Sequence, residues 1–393
     1  MGEFAESITI DQLNNDPYLI YARLREVEPV AYVPALDQWM VTRNQDVRTV
    51  ISLSETFISY FSKSLILKVC GEGNMLATDG DPHSDLRGCT DDDYARETLS
   101  AGLRDHVRML ANKYADELER SGSPADLREQ YFAPVAVLSE AHILGLDHID
   151  PEVFIRWADG MNSAITNFEK DPARTWLGEE TRADIDRVLI PYLEELKKNP
   201  IHSTLSNLLH SGRHAGRPRP IQEILPTVRL ILTATEEPGN GASSTMLGLL
   251  DNPDQLEAVK ADPSLLEHAA HEGLRWRPPV GALMRSAARD FELGGATIPA
   301  GAGVAAIAAS ANRDERVYEN PDAFDIHRPM QPHASLGYGS HRCLAWEQVP
   351  EIIRISIEVL LERFPTIRLD TDKPPVRYYG WRYRGPSGLP VRW

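Results

Sequence analysis

Between Ser335 and Pro350 the chain reads SLGYGSHRCLAWEQVP. His341, Arg342 and Cys343 stand side by side just after Gly337 and Gly339. Taken singly, a cysteine is most often a small buried hydrophobe. The neighbours of Cys343 point to other chemistry. Gly337 and Gly339 let the backbone turn tightly and approach a flat partner closely. His341 and Arg342 put donors and positive charge beside the sulfur. The residues downstream predict a helix beginning near Ala345, and a helix N-terminus lowers a thiol pKa. Thiolate is the metal-binding form, and one thiolate on an otherwise open metal suggests haem iron.

A second group with chemical potential lies in TVRLILTATEEPGNGASSTMLGLL, Thr227–Leu250. Thr235, Glu236 and Glu237 sit inside an apolar helical run and are followed at once by Pro238. Proline lacks an N–H and clashes with the carbonyl four residues back, here that of Ala234. The helix is expected to open there, helped by Gly239 and Gly241. A plain helix break with solvated acids is the alternative.

The elements that must position these groups are mostly helical. Asp16–Glu26 predicts a short helix, and AYV and QWMVTR predict strands on either side of PALD. LRDHVRMLANKYADELERSG, VAVLSEAHILGL and RADIDRVLIPYLEELKKNP repeat apolar residues at helical spacing. HSGRHAGRPRP, residues 210–220, reads as a surface loop. FELGGATIPAGAGVAAIA reads as a hairpin followed by a strand, and IIRISIEVLLERFP as a long helix. The fold class is therefore mainly α with a smaller β region (α+β). The expectation is a single domain over 1–393, with a helix-rich core over about 80–275. A β-rich part over about 276–393 joins the N-terminal strands.

The chain has 393 residues, 42% hydrophobic and 25% charged, with a formal net charge of -17. That balance argues against general nucleic-acid binding, which needs a basic face. No apolar run of membrane-spanning length and no secretory leader pattern is present, so a cytoplasmic protein without a membrane anchor is expected. Three cysteines, Cys70, Cys89 and Cys343, at unrelated spacings do not suggest a disulfide framework.

Leu336-Gly-Tyr-Gly-Ser-His-Arg-Cys343 resembles the haem-binding loop of the cytochrome P450 family, Phe-Gly-x-Gly-x-[His/Arg]-x-Cys-x-Gly. It departs from that pattern at Leu336 and at Ala345, and Pro350 is unusual in the helix that follows, where it is expected to remove a helical hydrogen bond and bend the helix. The resemblance extends over almost the whole chain. Glu272-Gly-Leu-Arg275 matches the family's Glu-x-x-Arg, whose role is structural. His83 and Arg87 match His-x-x-x-Arg, which holds a haem propionate together with Arg285 and His341. Asn312-Arg-Asp314 and Phe324-Asp-Ile-His-Arg328 also match. The resemblance implies a P450 fold enclosing haem b, with Cys343 as the iron ligand.

The same resemblance places Glu237 at the acid position and Pro238 at the alcohol position of the oxygen-activating helix. Dioxygen is then expected near Ala234 and Glu237, with Glu236 and Thr235 as reserve proton carriers. The Glu-Pro-Gly stretch, Gly80-Asp-Pro-His83 and Gly380-Trp-Arg-Tyr-Arg-Gly-Pro386 resemble the bacterial branch that O-demethylates guaiacol-type methoxyarenes. Ile165 and Tyr383 stand where that branch has phenylalanines; with Phe168 and Leu283 they form the expected substrate pocket. The implied activity is monooxygenation of a small, aromatic substrate by hydroxylation or O-dealkylation. The alternatives are regioselective tailoring of a larger natural product, a peroxide-using haem-thiolate enzyme, and a haem sensor or carrier. Flavin and iron–sulfur motifs are absent from the sequence, so electrons are expected from a separate ferredoxin or reductase drawing on NAD(P)H.

Overall fold

The runs flanking Pro34–Asp37 form an antiparallel pair, Val30–Val33 against Gln38–Val41, with Val30 opposite Val41. Their β-branched and aromatic residues suit a half-buried pleated surface. Gln38–Val41 continues in parallel register with Gly303–Ala306, which pairs antiparallel with Leu283–Ala287. Phe57–Ile58 closes the far edge of this five-stranded sheet. Gly303–Ala306 is buried throughout, which explains its small apolar residues. Helix Asn44–Ser52 packs Val47, Val50 and Ile51 against Val41, Val304 and Ala306 to form one hydrophobic core.

This computed structural model describes residues 3–214 and 216–393. The chain forms two compact units. The first comprises Met1–Ser59, Ala111–Ala133 and Pro238–Trp393; the second comprises Tyr60–Leu110 and Pro134–Glu237. Among the described residues, every strand lies in the first unit. Helices Glu237–Asp251, Pro253–Ala261 and Leu265–Trp276 were expected in the helix-rich part, yet nearly all their residues belong with the sheets. The second unit is helical and includes Gly80–Gly88, Pro151–Ile165, Pro172–Leu196 and Ile221–Thr233.

Helix boundaries follow local chemistry. Pro172–Leu196 starts with Pro at its first position, and the Asp171 side chain accepts the Ala173 N–H. Arg104–Ser121 stops at Gly122, whose φ of 79° only glycine adopts freely. The polar segment 210–220 holds one short turn, Gly212–His214, and is otherwise irregular; Ala215 lies outside the described residues. Arg219 anchors that loop from inside, 2.9 Å from Asp85 and 3.0 Å from the Leu208 carbonyl.

Candidate active site

The cysteine loop is a closed turn. Gly337 and Gly339 have φ of 69° and 70°. The Cys343 N–H donates back to the Leu336 carbonyl at 2.7 Å, and Arg342 N–H donates to Gly339 at 3.1 Å. Leu336, His341, Cys343 and Ala345 are half-buried, and a Cβ on Gly337 would lie 3.4 Å from the His341 carbonyl. Cys343 differs from the other two thiols. Cys70 and Cys89 are buried, and burial pushes their pKa up, to about 12 for Cys70, so both remain protonated thiols.

The helix after the loop begins at Gln348, later than the expected start near Ala345. The difference follows from the turn over 344–347, although the Ala345 carbonyl accepts the Val349 N–H and so supplies the first helical hydrogen bond. Pro350 therefore falls in the first turn, where a proline is best tolerated. It causes no interior break, contrary to the sequence expectation.

Buried side chains hold the loop from behind. Asn312 accepts the Ala334 N–H at 2.7 Å and donates to Ser335 Oγ at 2.7 Å; that hydroxyl donates to the Leu274 carbonyl. Glu272 and Arg275 form a bidentate pair at 2.7 Å, both buried. Arg275 also donates to the carbonyls of Asn312, Pro321 and Ala323, and Arg328 reaches Glu272 at 3.4 Å. The pair thus lies inside a buried hydrogen-bond network and not on the surface.

Arg285 lies on strand Leu283–Ala287, beside the central strand Gly303–Ala306, and is buried, with Nη1 donating to the Met284 carbonyl at 2.8 Å. Leu283, on the same strand, packs beside Gly337. Tyr383 forms an isolated bridge with Val280, so it stands next to the segment leading into that strand. In the second unit His83 is buried and Arg87 half-buried on one face of Gly80–Gly88, and Asp91 engages Arg87 at 2.5 Å.

The run Thr227–Leu250 is not one helix. Ile221–Thr233 ends, Ala234–Glu236 form a turn, and a new helix begins at Glu237 with Pro238 as its second residue. The Ala234 carbonyl accepts from Glu237 instead of from residue 238, at 3.3 Å. Ala234 is exposed and Thr235 buried, its hydroxyl donating to the Leu232 carbonyl. Glu236 is buried and accepts from Asn162 at 2.9 Å; Glu237 is half-buried. Asn162 lies one turn before Ile165, the buried last residue of Pro151–Ile165, and half-buried Phe168 follows in the next turn. Gly239 does not loosen the chain as expected. A Cβ there would meet the Phe132 carbonyl oxygen at 2.9 Å, so this glycine permits close packing of backbone on backbone.

The sequence profile of the family described as Cytochrome P450 matches residues 259–343, which contain the Glu272–Arg275 pair and end at the cysteine. Pulcherriminic acid synthase of Bacillus subtilis (strain 168) is 30% identical over 389 residues, covering 93% of this chain and 92% of its own. The chain belongs to the cytochrome P450 family. PikC, a P450 monooxygenase of Streptomyces venezuelae, is 29% identical over 96% of this chain and 91% of its own. The solved structure of ligand-free P450 TbtJ1 is similar with a TM-score of 0.85 at 29% identity, covering 97% of this chain and 98% of that one.

As a P450 the chain is an oxidoreductase of the monooxygenase class, with haem iron on a cysteine thiolate and electrons from an external donor. The donor chemistry fits that group. One accessible sulfur stands in a glycine turn, and arginine and histidine side chains can pair with two carboxylates. No helix among the described residues is long and apolar enough to cross a membrane. Sequence reading missed the contacts of Asn162 and Ser335 and gave Asn312 only its family match, with no role. Nothing local marks them, because each acts across a long sequence separation.

Proposed function

We propose that this P450 binds haem b through Cys343 and oxidises a C–H bond of a small methoxyarene, releasing the methyl carbon as formaldehyde. The observation that carries the reading is the interrupted central helix, with Glu236 and Glu237 at the break and Pro238 in place of an alcohol. When bound, the haem supplies dioxygen activation and oxygen insertion. Cys343 supplies the thiolate. His341, Arg285, His83 and Arg87 pair with the propionates. Glu237 at the head of the new helix passes protons inward, a task the missing alcohol leaves to a carboxyl group. Asn162 fixes Glu236 and keeps it from the same role. Leu283, Ile165, Phe168 and Tyr383 shape the substrate site; isoleucine leaves more room than phenylalanine, and the Tyr383 hydroxyl offers a hydrogen bond.

A second reading is tailoring of a larger natural product. It is favoured by relatives whose names describe such reactions, including nocardicin C N-oxygenase of Nocardia uniformis at 28% identity. A spin-state titration of haem-loaded protein separates the two. Small methoxyarenes giving a saturable shift, with formaldehyde formed on reconstitution with a ferredoxin and its reductase, support O-demethylation. Shifts confined to polycyclic or peptide-like compounds support tailoring and overturn the methoxyarene reading.

A further inference from the structure

The first unit contains a cleft of about 510 Å³ that the oxidation chemistry does not use. It lies between the N-terminal segment around Asn15–Arg25 and the segment Val376–Arg384. Five arginines line it, Arg25, Arg277, Arg313, Arg377 and Arg384, against two aspartates, Asp16 and Asp322. In a chain of net charge -17 this is a concentrated reversal of sign.

The arginines are not equivalent. Arg25 is matched by Glu315 at 3.1 Å, and Arg313 by Asp322 at 2.9 Å. Arg384 is buried and donates to the carbonyls of Asn14, Asn15 and Gly380, with no carboxylate in ion-pairing distance among the described residues. Arg277 is held by ring faces, 4.4 Å from the Trp276 centroid and 4.2 Å from that of Tyr378. Its Nε, the Arg384 Nε and the Tyr18 hydroxyl are buried polar atoms with no hydrogen-bond partner among the described residues. Arg377 stands exposed at the rim. A guanidinium cannot shed its proton in a protein, so these charges persist. Arg277 lies near enough to Arg384 to lower its pKa, in addition to the larger effect of burial. Within the lining Asp16, which accepts the Tyr18 N–H, is the acid not matched by an arginine, and outside it Asp251 lies near enough to Arg277 for their charges to interact.

We propose that this cleft binds a small organic polyanion, a phosphate or polycarboxylate of nucleotide size, through Arg277 and Arg377, with Arg384 adding charge from behind. The volume lies within the range of about 300–1,000 Å³ usual for small-ligand sites. Arg313 covers the Tyr18 ring at 3.7 Å as Arg277 covers that of Tyr378, and the Tyr18 hydroxyl offers a further donor. The ligand braces the N-terminal segment against the segment 376–384.

The test is calorimetric titration of haem-loaded protein at low salt with ATP, inorganic pyrophosphate and citrate as separate probes. Saturable one-to-one binding is expected for at least one of them, weakening about 10-fold or more as salt is raised through the physiological range. Phosphate probes binding without citrate define an organic phosphate site; citrate alone defines a polycarboxylate site. Arg377→Glu, at the exposed rim, and Arg277→Gln should each weaken binding about 10-fold or more, the scale of a lost charge-assisted contact. Arg187→Gln, an exposed arginine on helix Pro172–Leu196, should leave it unchanged. Absence of saturable binding by all three probes overturns the proposal. So does unchanged affinity in Arg377→Glu, which decides the matter if Arg277→Gln fails to retain haem.

Discussion

At the residue scale two carboxyl groups that adjoin in sequence have different surroundings. Glu236 is buried and tied to Asn162, whereas Glu237 is half-buried at the start of a helix. The proton task proposed for Glu237 predicts that Glu237→Gln slows product formation about 100-fold, the lower end of general acid–base contributions. Electron uptake should then continue with peroxide as the by-product, measured as a fall in product per NAD(P)H consumed. Full, well-coupled turnover in that variant would remove Glu237 from the role. His333 gives a second prediction. It is buried against His271 at 3.3 Å, and burial, with the nearby His271 charge, pushes its pKa down to about 3. The unfolded chain takes up that proton near pH 6.5, before the folded chain does. The contribution of neutral His333 is thus complete above pH 6.5 and is lost as pH falls towards 3. Unfolding free energy should fall between pH 6.5 and 5 more steeply in the natural protein than in His333→Gln, by at most about 1.4 kcal/mol per pH unit. Parallel pH profiles would show that His333 does not titrate in this way.

At the element scale the sequence made helix type legible and helix continuity only partly so. Pro238 announced the break, because a missing N–H and a ring clash act on the four residues before it. The same rule misjudged Pro350, since its cost depends on where the helix starts. That start was set by the turn over 344–347, which periodicity does not reveal. Gly239 was misread for a related reason. A glycine that loosens a helix and a glycine that admits a neighbour look alike in sequence, and only the Phe132 carbonyl distinguishes them. Gly239→Ala therefore tests element packing. Its Cβ would stand 2.9 Å from that oxygen and 3.1 Å from Ala133 Cα, and backbone cannot swing aside as a flexible side chain can. A stability loss of about 1–3 kcal/mol is expected, the usual cost of overpacking. Thermal unfolding measures it. A gain in stability from the better helix former would mean that the two backbones separate freely.

At the scale of the whole molecule, composition limited the partners, and motif order gave the fold. The two compact units were not legible, because each gathers segments distant in the chain. The Glu272–Arg275 pair shows how such segments are joined within the first unit. Arg275 links its own helix to the carbonyls of Asn312, Pro321 and Ala323, while Glu272 accepts the Asp325 N–H and faces Arg328. Lysine at position 275 keeps the charge but has neither the planar fork nor enough donors for this set. It would leave buried acceptors unmet and a buried carboxylate poorly paired, which costs about 3–5 kcal/mol when one partner of such a pair is lost. A folded protein has only about 5–15 kcal/mol in total. One side chain then commands a large fraction of the stability of the whole molecule, and the Asn312 that it holds is also the clamp behind the cysteine loop. Arg275→Lys should express mainly as haem-free or insoluble protein. The ratio of haem to protein absorbance after purification measures this. A soluble variant with full haem content and an unchanged thermal midpoint would show that the network does not brace the fold.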